Sequence, residues 1–207
     1  DTLYVTPLVR RVDVLPPAID QNLGVWVSAA PQWAIFNQDG WTAMPPGRSF
    51  AVYSPLPGRS GVFDNVSFTH AASAGNTAGN STEIDHVRSN GDPAAILQLT
   101  SNWNPQGLGG TYNDHRTGVW YYAGRWLVFN QDTAAMPVGA AFNVFVAPTG
   151  SPNSFIRVVD TSSSSVVLDH PLLNENPCAQ ALVTHNFAPG AVYNNHAFAL
   201  RYASQRW

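Results

Sequence analysis

Hydrophobic and polar positions alternate with a period of two in short runs, and Gly, Pro, Asn or Asp separates each run from the next. That is the pattern of half-buried strands joined by turns. Trp126, Val128 and Asn130 alternate with Leu127 and Phe129, and Phe142, Val144 and Val146 resume the alternation. Between them, Met136-Pro137-Val138-Gly139 places Pro second and Gly fourth, which suits a type I turn. The simplest expectation is a hairpin. Further strands are expected at 50–53, 62–69, 95–100 and 179–184, and at Gly24-Val25-Trp26-Val27 and Gly118-Val119-Trp120-Tyr121. Residues 71–81, small and polar, predict a mobile loop.

Self-similarity organises these runs. WLVFNQDTAAMPVGAAFNVFV, beginning at Trp126, repeats WAIFNQDGWTAMPPGRSFAVY, beginning at Trp33, with one extra loop residue in the earlier copy. There Met44-Pro45-Pro46-Gly47 carries a second Pro, which disfavours type I geometry, so this turn is expected to differ from its copy. A second block recurs at a constant offset: Asp85-His86, Asn90, Pro93, Thr100, Asn102 and Pro105 match Asp169-His170, Asn174, Pro177, Thr184, Asn186 and Pro189. Then Tyr112-Asn113-Asp114-His115 matches Tyr193-Asn194-Asn195-His196. The organisation expected is an extended N-terminal segment at 1–19, a first β unit at 20–117 and a second at 118–207, the two packed as one domain. The fold class expected is all-β: a sandwich or closed barrel of about ten to twelve short antiparallel strands with an internal two-fold repeat.

Composition supports this. Ten Arg stand with no Lys, and eleven Asp with only two Glu, so charged helix formers are scarce. The net charge of −3 without a basic run opposes a nucleic-acid partner. No apolar run is long enough for a membrane-spanning helix. Cys178 stands where the other copy has Ala94 and is expected to be buried. Low charge with many Asn and Thr suits an extracellular protein, secreted or at a cell surface. The chain starts at Asp1, as a mature product or a trimmed segment would.

The run RWLVFNQDTAAMPVGAAFNV, preceded by IDHVRSNGDPAAILQLTSNWNPQGLGGTYNDHRTGVWY, resembles a β-rich repeat module of secreted bacterial proteins whose function is unassigned. The resemblance covers residues 33–207. It implies an extracellular β unit and brings no catalytic residue with it. Pro46, and Phe187 in place of Trp103, depart from the pattern.

The chemistry is sparse. Five of six histidines lie in the repeated blocks, beside carboxylates, an environment that can bind metal. Asp-His followed by Asn and Pro is also what a side-chain network tying a loop to a strand requires, and that is the expectation; no metal and no cofactor are expected. No GxSxG or HExxH motif is present, and Glu83 and Glu175 are not equivalent, so an enzyme is not expected. Aromatic platforms flanked by amides and imidazoles suit glycan hydroxyls. Asn102, Trp103, Tyr112, Asn113 and His115, with Asn186, Tyr193, Asn194 and His196, are the candidate ligand-binding residues. Asn65 and Asn80 head N-glycosylation sequons.

The expected function is therefore a non-enzymatic extracellular structural or adhesive module, with a lectin-like carbohydrate-binding domain as the alternative. The expected partners are surface glycans and the chain itself. Leu3, Tyr4, Val5, Leu8 and Val9 form an extended segment with no evident counterpart in the second unit. The early FNQD hairpin could close the chain's own sheet, or this N-terminal segment could be donated to a neighbour in head-to-tail assembly into a filament.

Overall fold

The computed structural model describes residues 2–9, 20–29, 32–55, 66–107, 109–147, 149–187 and 190–207. The candidate strand start at 62–65, Asn65 and residues 10–19 lie outside them. Thirteen strands and one 3-10 turn, Pro105–Gly107, make an all-β fold of three sheets, sandwich-like and without a closed barrel among the described residues. Among the described residues no helix is long and apolar enough to cross a membrane.

In chain order the strands are β1 (Tyr4–Val9), β2 (Leu23–Val27), β3 (Trp33–Asn37), β4 (Ser49–Tyr53), β5 (Val66–Ala71), β6 (Thr77–Ala78), β7 (Ser81–Ile84), β8 (Ile96–Asn102), β9 (Thr117–Tyr122), β10 (Arg125–Asn130), β11 (Ala141–Ala147), β12 (His185–Asn186) and β13 (Leu200–Arg201). One sheet runs β3-β2-β8-β11-β5, another β12-β9-β10-β7-β6, and the third β13-β1-β4. The main core lies between the first two. Leu97, Phe142, Val144 and Val146 face Ile84, Val119, Trp126 and Val128 in one apolar cluster.

The FNQD strand and the strand after its MPxG turn do not form a hairpin. β10 and β11 lie in different sheets, as do β3 and β4. The cause is Asn130, which is fully buried. Its side chain donates to the carbonyls of Ala134 and Ala135 (3.1 and 3.3 Å) and folds the chain into an arch between layers. The true hairpins join each Gly-Val-Trp strand to its FNQD strand, β2 to β3 and β9 to β10. Gly24 and Gly118 are needed there, because a Cβ would stand 2.8 Å from the Phe36 ring and 2.9 Å from the Phe129 ring. The MPxG turns also resemble each other more than the sequence suggests. The bond from Ala140 N–H to Pro137 C=O puts Gly139 third, at φ +95°, with Gly47 at +85°. Type II geometry requires this, and it welcomes Pro46 in second position. Residues 71–81 are a pinned β6–β7 hairpin rather than an open loop. Asn76 accepts from Ser73 N–H (2.7 Å) and the Thr82 hydroxyl (3.1 Å) and donates to Ala71 C=O (3.1 Å).

Residues 179–184 are not a strand, and only β12 beyond them pairs. β8 is held by β11 on one side and β2 on the other, whereas β12 is a sheet edge. Cys178 is exposed, and so is Ala94, because both sit in a turn before the strand position.

The N-terminal segment has a counterpart after all. β1 pairs with β4 in the register that β8 keeps with β11: Pro7↔Phe50 and Thr6↔Ala51 correspond to Ser101↔Phe142 and Thr100↔Asn143. Leu3-Tyr4-Val5-Thr6 is therefore a third copy of Leu97-Gln98-Leu99-Thr100. Three parallel pairings complete the relation: β2 with β8 (Val25↔Asn102), β9 with β12 (Val119↔Asn186) and β13 with β1 (Leu200↔Leu8). Each Gly-Val-type strand thus docks on the Thr-containing segment of the next copy, and the third docks on the first. The chain closes into a ring with pseudo-three-fold order. Three bonds trace it: Val5 N–H to Thr100 Oγ1 (3.0 Å), Leu99 N–H to Thr184 Oγ1 (2.9 Å) and Val183 N–H to Thr6 Oγ1 (3.2 Å).

Leu3, Tyr4, Val5, Leu8 and Val9, the residues expected for assembly, are engaged here within their own chain. β1 is bonded to β4 along one edge and reaches β13 and Thr100 on the other, all within its own chain. Leu3 and Tyr4 are buried. The Tyr4 hydroxyl meets Ser67 Oγ (2.5 Å), and burial pushes its pKa up to about 12.

One buried histidine sets a pH response. His70, outside the repeated blocks, is buried on β5 with Nε2 2.9 Å from Thr82 Oγ1. That hydroxyl donates to Asn76, so it accepts from a neutral ring protonated at Nε2. Burial lowers the His70 pKa from 6.5 to about 4. The unfolded chain therefore takes up the proton first as pH falls. Stability from this site is complete above pH 6.5 and is lost between 6.5 and about 4. The expected loss is at most about 3.5 kcal/mol, at ~1.4 kcal/mol per pH unit. Urea melts across this range should show it, and His70→Gln should flatten the curve; an unchanged slope would remove His70 from the account.

Candidate functional site

The nine sequence-selected ligand residues do not form one surface. Asn102 and Asn113 are buried, and their amides donate to Asn143 and Asn130 (2.9 Å each), so they serve the frame. Trp103 and Tyr112 pack together (5.5 Å between centroids), with Phe36 against Tyr112 (6.1 Å). Phe187 and Tyr193 repeat this (4.9 Å), with Phe129 against Tyr193 (5.8 Å). Each aromatic pair thus covers the FNQD strand of the preceding copy. The Trp103 and Phe187 N–H groups donate to Val25 and Val119 carbonyls (2.9 Å each), so the departure at Phe187 changes the ring and keeps the contact. Asn186 lies on β12, half-buried, and His196 is exposed. His115 Nδ1 lies 2.6 Å from Asp132 Oδ2, an ion pair when the ring is protonated. Hydrogen bonds from Ala134 N–H and His115 outweigh burial and hold the Asp132 carboxyl below its ordinary range.

The Asp-His blocks are loop clasps, twice over. Asn90 and Asn174 donate to Asp85 and Asp169 (2.8 Å each), while Nδ1 of His86 and His170 accepts from Arg88 and Leu172 N–H (3.2 Å each). The imidazoles stack on Phe68 and Phe155 (4.1 and 4.6 Å). Among the described residues, no group of three His, Cys, Asp or Glu is placed to hold a metal. The Asn80 amide donates to Asn130 C=O (2.9 Å).

What the two repeat junctions do not share is more informative. At the later one, Gln131 is satisfied: Oε1 accepts Asn194 N–H (3.0 Å) and Nε2 meets His185 Nδ1. At the earlier one, the equivalent Gln38 is only 2% exposed, and its Oε1 has no partner. Gln38 lines a depression with Asp39, Gly40, Trp41, Tyr112 and Asp114. Trp41 belongs to the loop that is one residue longer in this copy, and it is 92% exposed. Its backbone is fixed. Asp39 Oδ1 accepts from Trp41 and Thr42 N–H (3.1 Å each), and Asn37 donates to Thr42 C=O (2.8 Å). Gly40, at φ +72°, lets the loop turn against the Tyr112 ring, which would touch a Cβ at 3.4 Å.

Electrostatics divide the two carboxylates. The Thr42 hydroxyl, with its backbone N–H and that of Trp41, keeps Asp39 below the usual carboxylate range. Burial, and the charge of Asp39, push Asp114 up. The depression therefore offers two carboxylates and two aromatic faces, with the unpaired Gln38 Oε1 shielded from solvent. It asks for a ligand that donates hydrogen bonds and presents an apolar face. Trp41 carried one sequence signal, an aromatic in the single inserted loop residue of an otherwise faithful repeat.

The family model described as Domain of unknown function (DUF7452) matches residues 24–146 and again 123–207. The chain belongs to this family. The two matches overlap at 123–146, which is compatible with a repeat. No curated protein and no solved structure matches the chain significantly.

Proposed function

We propose that this DUF7452 chain is a non-enzymatic extracellular adhesion module that binds neutral carbohydrate at the Trp41–Tyr112 depression. The observation that carries the reading is the exposed Trp41, which lines a depression with Tyr112 and the carboxylates of Asp39 and Asp114. A pyranose has the matching chemistry, with C–H faces for the indole and hydroxyl donors for the oxygens. Two carboxylates in the rim disfavour acidic sugars. The glycan-facing set becomes Asp39, Trp41, Tyr112 and Asp114, with only Tyr112 retained from the sequence-selected residues.

The raised Asp114 beside the lowered Asp39 is also the pairing of a general acid with an anionic partner. Binding is the better reading, because Asp39 is committed to holding its loop and the depression is open. An array of neutral and acidic glycans tests it. Neutral glycans should bind and blue-shift Trp41 fluorescence, with Trp41→Ala weakening binding at least tenfold and no release of reducing ends. Equal binding of neutral glycans by the Trp41→Ala variant would refute the assignment.

A further inference from the structure

A second cavity lies where the three copies meet. It encloses about 360 Å3, and its walls take corresponding residues from all three: Val5, Leu99 and Val183, then Thr6, Thr100 and Thr184. Its lining contains no carboxylate among the described residues, in contrast to the depression at Trp41. It does contain two arginines. Arg116 is neutralised by Asp20 at 2.8 Å. Arg48 is different: its Nε and Nη2 are shielded from solvent and have no hydrogen-bond partner. A guanidinium in that state is costly unless an anion joins it. The Thr6 and Thr100 hydroxyl oxygens each accept a backbone N–H, so their protons remain free to donate inward.

From this we propose that the cavity binds a small molecule carrying an oxyanion, with Arg48 as the charged partner and Thr6 and Thr100 as further donors. Guanidinium geometry matches carboxylate or sulfate through two parallel bonds. The volume falls within the range of small-molecule pockets, so the ligand extends beyond the bare anionic group. The inference is independent of the neutral-sugar site, which uses other residues.

The test uses the full chain with D-glucuronate, D-glucose and inorganic sulfate as probes, followed by calorimetry and by the Arg48 Nε–H resonance in nitrogen-15 spectra. Glucuronate should shift that resonance saturably, with glucose at least tenfold weaker at the same reporter and sulfate displacing glucuronate. Arg48→Gln should weaken glucuronate at least tenfold, and Trp41→Ala should leave it unchanged. Should Arg48→Gln fail to fold, the wild-type resonance decides alone. An Arg48 resonance that stays still with all three probes, or that glucose shifts at as low a concentration as glucuronate does, would overturn the proposal.

Discussion

Deleting residues 1–9 is expected to unfold the protein rather than to depolymerise it. β1 occupies the middle of its sheet, between β4 and β13, and buries Leu3 and Tyr4. Those two side chains alone are worth about 2 kcal/mol each. The deletion also strips β4 of its ladder, leaves Val183 N–H without the Thr6 hydroxyl, and strands Asn143 Nδ2, which donates to Leu3 C=O at 2.9 Å. Buried donors left unpaired add about 1–3 kcal/mol each. The sum is comparable to the ~5–15 kcal/mol that holds a domain together. Circular dichroism melts should lose their cooperative transition, and a synthetic peptide of residues 1–9 added in excess should restore part of it. A truncated chain that melts within a few degrees of the intact one would refute the ring closure.

The sequence made the strands and their copies legible wherever the copies were long. FNQD arches, Asp-His clasps and Gly-Val-Trp hairpins all repeat with many shared side chains, because the bonds and close packing there admit few substitutes. The third copy escaped notice because Leu3-Tyr4-Val5-Thr6 keeps only Leu and Thr of Leu97-Gln98-Leu99-Thr100. What it preserves is a backbone register and one hydroxyl, and register leaves little trace in residue identity. The arch reads as a hairpin in the sequence because turn residues announce a reversal without its direction. Only Asn130's bonds to Ala134 and Ala135 decide that the chain changes sheet. In the candidate site, aromatic and amide character was readable, exposure was not. Asn102 and Asn113 are equal in composition to binding amides, and burial alone makes them structural. Trp41 was passed over because it has no copy, although an unmatched aromatic in a repeat is free of the scaffold's demands.

The ring also contains its own double substitution, and this yields the second large effect. Asn102 donates to Asn143 Oδ1 at 2.9 Å, both side chains buried between β8 and β11. In the first copy the corresponding positions are Leu8 on β1 and Ala51 on β4, by the shared register. There, an apolar pair stands where the central copy has an amide pair. Asn143→Ala should therefore cost about 3–5 kcal/mol, because it leaves the Asn102 amide and the Leu3 carbonyl buried without their partner. Asn102→Leu should cost about 2 kcal/mol by freeing one lone pair of Asn143 and crowding the strand pair. Combined, the two changes should cost at least about 1 kcal/mol less than their sum, since no amide is then left without its mate. Full recovery is not expected, because Leu3 C=O still lacks its donor. Urea denaturation of the four proteins measures the cycle. Strict additivity would mean that the amide pair carries no coupling, and that the apolar pair in the first copy is an unrelated change.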